Sequence, residues 1–97
     1  MAFVQVIEFR SSKIDEMQKV AEEWEKATEG KRTAGRRVLC RDRDNAGRYF
    51  NIVFFDSFEA AMENSALPET EAFSKKMMGF ADGPPTFYNL DVEDDRG

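Results

Sequence analysis

The sequence predicts an α+β fold of the ferredoxin-like, split βαβ kind, with the order β-α-β-β-α-α-β and an antiparallel four-stranded sheet. Three observations carry that prediction. The run from Arg48 to Phe58 holds Tyr49, Phe50, Ile52, Val53, Phe54 and Phe55, which put large β-favouring side chains on both parities of a strand. Such a strand is central, with both faces covered. Two other segments repeat apolar residues at helical spacing: Ile14, Met17, Val20 or Ala21, Trp24 and Ala27, then Phe73, Met77 and Phe80. Finally, the turn signal Asp44-Asn45-Ala46-Gly47 stands just before the central strand, and Asp56-Ser57 just after it reads as a helix N-cap.

The elements follow in order. Phe3 to Arg10 is the first strand, with Phe3, Ile7 and Phe9 on one parity and Val4 and Val6 on the other. Ser12 and Asp15 have the spacing of a capping box, which starts the first helix, and Gly30 ends it. A basic linker from Lys31 leads into a second strand, Arg37 to Asp42, whose charge marks it as an edge. The Asp44 to Gly47 turn returns the chain as a hairpin into the central strand. A short helix over Phe58 to Asn64 follows, and Pro68 with Glu69 and Glu71 starts another, since proline fits a first helical position and carboxylates favour the positive end of the dipole. Gly79 and Asp82-Gly83-Pro84-Pro85 stop that helix before a last strand, Thr86 to Val92. Glu93 to Gly97 forms an acidic tail that frays or contacts a partner.

Composition narrows the function classes. Residues 1–97 make one domain, and a chain this short buries only about 60 to 65% of its unfolded surface, so self-association would help it. The net charge of −5 argues against nucleic acid and anionic membranes as partners. One cysteine, Cys40, permits no intrachain disulfide, and no apolar run nears the ~20 residues that span a bilayer, so the expected location is the cytoplasm. Histidine is absent, which removes His metal ligation and the usual base of a Ser or Cys nucleophile. No metal or other cofactor is implied.

If the helices cover one face of the sheet, the other still carries apolar side chains from the first, third and fourth strands. Leaving six of them wet would forgo on the order of 10 kcal/mol, at about 1.5 to 3 kcal/mol each. A homodimer packed sheet face to sheet face is the expected remedy. Strand boundaries displaced by a residue or two would instead make that second face only mildly apolar.

With these elements placed, the chain resembles the dimeric α+β barrel superfamily, in particular its antibiotic-biosynthesis-monooxygenase-like branch. The resemblance rests on Phe3 to Arg10, the Trp24-bearing helix, Tyr49 to Phe58, the helix break from Asn64 to Thr70, and the closing Asp82-Gly83-Pro84-Pro85-Thr86-Phe87 that runs into Asp91-Val92. A group of short, uncharacterised bacterial proteins has the same break and the same ending. The superfamily includes cofactor-independent oxygenases of polyketide quinone precursors, haem-degrading oxygenases, and isomerases or dehydratases of small ring compounds. The haem branch relies on a His ligand that this chain lacks. The anthrone-type oxygenases need only amides, Tyr, Trp and Arg around a dry pocket. They place an Asn near the second-helix break, followed closely by a Trp. Asn64 matches the first; Pro68 stands about where the Trp would be, and the only tryptophan is Trp24.

Seven residues are candidates for a pocket. Gln5, Asn51 and Asn89 are amides at otherwise apolar strand parities, so they either spot a cavity with polarity or bond to nearby backbone. Trp24 either anchors its helix or stacks on an aromatic ligand. Asn64 either caps the short helix or binds substrate. Tyr49 and Tyr88 either donate to a ligand carbonyl or pack across strands. The arginines at 36, 37, 41, 43 and 48 form a solvated edge, pair with the acidic tail or hold an anion. The implied function is the handling of a small aromatic molecule, with cofactor-independent oxygenation as its chemistry; the alternatives are a non-catalytic dimeric binding or scaffold module packed solid, and an isomerase or cyclase.

Overall fold

Alternation along the central strands organises the molecule, described over residues 2–97 of a computed structural model. Its elements are β1 Phe3–Arg10, α1 Ile14–Ala27, β2 Arg37–Arg41, β3 Arg48–Phe55, α2 Phe58–Ala66, α3 Pro68–Met78 and β4 Thr86–Asp91. The sheet order is β2-β3-β1-β4, with every neighbouring pair antiparallel. The two strands with apolar residues on both parities, β1 and β3, are therefore the inner ones, and the charged β2 is an edge.

Register decides which side chains share a face. Phe3 pairs with Phe55, Ile7 with Asn51 and Phe9 with Tyr49, so odd-numbered residues of β1 and β3 lie together. The same parity holds for Leu39 opposite Asn51 and for Phe87 opposite Ile7. This is the face the helices cover. Its best-packed region holds Phe3, Val53, Phe55 and Ala61, which join two strands to α2. Phe3 meets Phe58 edge-on at 5.4 Å and Phe55 at 6.3 Å between ring centroids.

Local chemistry sets the element ends. Ser57 Oγ accepts from the Ala60 amide at 3.1 Å and caps α2. The hairpin turn closes through Asp42 Oδ1, which accepts from the Asp44 amide, and through Gly47 at φ +84°, where a side chain would be strained. Gly35 admits the chain to β2: its amide donates to Phe54 O at 2.8 Å, and a Cβ there would stand 3.2 Å from that oxygen.

Several element ends differ from expectation, among them that of α1, which stops at Ala27 and not at Gly30. The start of α1 uses Ser11 rather than a box of Ser12 and Asp15: Ser11 Oγ accepts from the Lys13 amide at 2.9 Å and donates to Phe80 O at 2.7 Å. Ser11 is buried, so one hydroxyl both closes the turn that leads into α1 and ties it to the residues just after α3. Helix α2 runs on to Ala66, which places Asn64 inside it and not at its end; no residue but glycine has positive φ among those described. Asp42 and Val92 lie one residue beyond β2 and β4, their amides still donating to Arg48 O and Ala2 O. No helix of the described residues is long and apolar enough to cross a membrane.

Replacing Phe55, 6% exposed at the centre of the α2 cluster, is expected to cost about 3 to 5 kcal/mol as Phe55→Ala. Denaturant unfolding checks this through the midpoint, with the slope unchanged.

Candidate functional site

The helices do not fill the whole face they cover. Near α2 the packing is tight, but between the sheet and the α1/α3 pair lies an open-mouthed cavity of about 330 Å³. The sheet supplies Ile7, Phe9, Leu39, Asn51 and Phe87 as its floor. One wall is Ile14, Met17, Gln18 and Ala21 of α1; the other is Phe73, Ser74, Met77 and Met78 of α3, with Ala81 and Pro85 at the end. The i, i+3, i+4 and i+7 stripes that make these segments helical are thus the cavity walls. The surroundings are almost wholly apolar. Polarity is concentrated in Asn51, Arg37, Gln18 and Ser74.

The register brings all three strand amides to the helix-covered face, and they then divide. Asn51 lines the cavity, where its Oδ1 accepts from Arg37 Nη1 at 3.4 Å. Gln5 Nε2 donates to Asn89 Oδ1 at 3.2 Å, so these two satisfy each other in the adjoining row of the sheet. Tyr49 shares the face and stacks on Phe9, 5.6 Å apart and 19° from parallel. The other candidates lie elsewhere. Trp24 lines a shallow groove between α1 and α3, where its indole donates to Thr70 Oγ1 at 3.0 Å and packs on Phe73 at 5.5 Å. Asn64 is buried in α2, and its Oδ1 has no hydrogen-bond partner among the described residues. Tyr88 lies on the opposite face of the sheet and donates to Glu8 Oε1 at 3.0 Å.

Arg37 is the cavity residue that composition alone did not single out. It was one of five arginines; only its parity, shared with Leu39 and Asn51 through the hairpin register, distinguishes it. Three of the five have separate partners within the fold. Arg48 bonds Glu8 and Asp42, Arg37 approaches Glu25 at 3.6 Å, and Arg36 lies over the Phe54 ring. In the tail, Asp94 pairs with its neighbour Arg96.

The other sheet face carries the even-numbered residues. Val4, Val6, Val38, Phe50, Ile52 and Phe54 are half-buried there, Tyr88 and Leu90 are 43% and 48% exposed, and no described element covers them. At one end this apolar surface gives way to a charged cluster. Arg48 holds Glu8 Oε2 at 2.9 Å and Asp42 Oδ2 at 3.0 Å, and lies 4.8 Å over the Phe50 ring.

No protein-family model matches the chain, and no curated protein sequence matches it significantly. Solved structures do match. A Caulobacter crescentus protein classed with the antibiotic biosynthesis monooxygenases superposes with a TM-score of 0.82 at 18% identity, over 96% of this chain and 91% of its own. SnoaB, a cofactor-independent oxygenase from Streptomyces nogalater, gives 0.80 at 16% identity over 97% and 95%. The Mycobacterium tuberculosis protein Rv0793 gives 0.79 at 12% identity over the full length of both. This chain has the antibiotic-biosynthesis-monooxygenase-like fold. At such identities the likeness is one of backbone.

The charged cluster on the ABM-like sheet gives a pH dependence. The Arg48 hydrogen bond, then that of Tyr88, lowers the Glu8 pKa from its ordinary 4.5; the Asp44 amide, then Arg48, lowers that of Asp42 from 3.8. A carboxyl depressed in the folded state stabilises above its unfolded value and loses that contribution as pH falls through the folded one. Stability is therefore expected to decline below pH 4.5, and less steeply in Glu8→Gln; urea unfolding at a series of pH values measures both slopes. At the buried amide, Asn64→Leu is expected to leave the thermal midpoint equal or higher, since it removes an oxygen without a partner.

Proposed function

We propose that this protein handles a small, flat, apolar molecule in the cavity between the sheet and α1/α3, and does so as a homodimer joined through its open sheet faces. The observation that carries the first part is the cavity itself. A solid scaffold would close apolar walls on one another, because a core of Ile, Leu, Phe and Met packs to high density. Here Ile7, Phe9, Leu39, Phe73 and Met77 instead surround about 330 Å³ of space, within the range of small-molecule sites. Aromatic walls above and below favour a ring system.

The dimer rests on the opposite face. Its apolar centre from Val4 to Leu90 and its ion-paired rim at Glu8, Arg48 and Asp42 match the anatomy of a protein interface, dry in the middle and polar at the edge. Burial of six such side chains contributes on the order of 10 kcal/mol before the cost of association.

Cofactor-independent oxygenation is the chemistry to assay first, supported by the fold shared with SnoaB. In that reading the cavity excludes water and orients an electron-rich ring, while the Asn51 amide hydrogen-bonds the substrate oxygen. Asn64, the residue whose position at the helix break resembles that of the anthrone-type Asn, lies outside the cavity lining.

Native mass spectrometry of protein purified from its own host is expected to give two copies with retained small-molecule mass. Ile52→Arg should convert it to monomer, whereas Leu39→Trp should remove the bound mass and keep the dimer. Oxygen uptake with an added anthrone, no metal or flavin supplied, would assign oxygenation; a retained ligand without uptake would assign a binding module. Absence of both retained mass and affinity for flat aromatic probes would overturn the cavity reading.

A further inference from the structure

The two sheet arginines with carboxylate partners, Arg37 and Arg48, behave differently. Arg48 is locked, with contacts at 2.9, 3.0 and 3.0 Å to two carboxylates and a ring beneath it. Arg37 is loosely held: 3.4 Å to Asn51 Oδ1 and 3.6 Å to Glu25 Oε1, both beyond the usual length of a charge-assisted bond. A guanidinium has five N–H donors, so most of those on Arg37 are free. It stands at the rim of the apolar cavity with its side chain 30% exposed. Beside it, Asn51 uses its oxygen for Arg37 and leaves its amide nitrogen without a protein partner among the described residues.

We infer that the cavity is built for a flat apolar acid, whose anionic oxygens bind Arg37 and the Asn51 amide while its ring lies between the sheet and α1/α3. The inference rests on the cavity reading above and adds the charge of the ligand to it. Geometry places the two donors together: Arg37 pairs with Val53 and Asn51 with Leu39, which makes Arg37 and Asn51 diagonal neighbours on one face. The planar fork of arginine suits a carboxylate, which takes two parallel hydrogen bonds from it. Glu25 is the competing anion. It is 47% exposed and its contact is long, so a ligand carboxylate at the cavity mouth displaces it at little loss.

Two probes of the same shape test this: 2-naphthoate and its neutral analogue naphthalene-2-carboxamide, titrated calorimetrically. The wild type is expected to bind the carboxylate tenfold or more tighter than the amide, as a charge-assisted hydrogen bond commands. In Arg37→Gln that preference should collapse to near unity with the affinity for the carboxamide unchanged, and Arg37→Lys should restore part of it. Arg41→Gln, on the same strand and face but outside the cavity lining, should keep the full preference and controls for general charge loss. Equal binding of both probes by the wild type, or a preference that survives Arg37→Gln, overturns the acid inference and leaves the cavity reading standing. If neither probe binds the wild type, both fall together.

Discussion

The period-two alternation of the paired strands β1 and β3 is the constraint on which the rest of the structure depends. The register that sets Phe3 against Phe55 and Phe9 against Tyr49 assigns every side chain on both strands to one of two faces. A slip of one residue would move Phe3, Ile7, Val53 and Phe55 to the side where no helix waits, and bring Glu8 and Arg48 under the helices without partners. The hairpin turn fixes the register on one side, through Asp42, Asp44 and Gly47. On the other, β4 inherits the same parity from β1, which is why Phe87 joins Ile7 on the cavity floor.

The helices meet this face unequally. Helix α2 bears Ala61 and Phe58 on a cluster with little space left in it, and the tight entry at Gly35 holds the neighbouring linker close to β3. Thr33, donating to the Ala60 carbonyl, secures the same corner. Helices α1 and α3 lean on each other instead, through the Trp24 ring against Phe73 and its indole on Thr70. Phe73 takes part in that contact and also faces the cavity. The tryptophan thus bears on the cavity indirectly, by joining the two helices that wall it.

Much of this was legible in the sequence, since it depends on local pattern. The central strand, the hairpin, the proline-led α3 and the capping Ser57 each follow from residues within a few positions of one another. So does the shared parity of Gln5, Asn51 and Asn89. What the sequence withheld depends on distance in three dimensions. Nothing local indicates that Gln5 and Asn89, 84 positions apart, bond to each other and leave Asn51 alone in the cavity. Nothing local separates Arg37, with donors to spare, from Arg48, held on two sides. Ser11 rather than Ser12 starts α1 because Ser11 is the residue that also reaches the Phe80 carbonyl, a tertiary contact that outweighs the spacing of the capping box.

The cavity walls contributed by α1 and α3 include Met17, Met77 and Met78. A thioether on an unbranched chain has three rotors and a polarisable sulfur, and it changes shape at small cost. Walls of this kind follow the outline of whatever lies between them and impose little outline of their own. Branched residues on the sheet floor, Ile7 and Leu39, keep a fixed surface on the opposite side. The cavity therefore has one rigid plane and one compliant one, so a ring of the kind proposed above would have to be flat on one side and could vary in its substituents on the other.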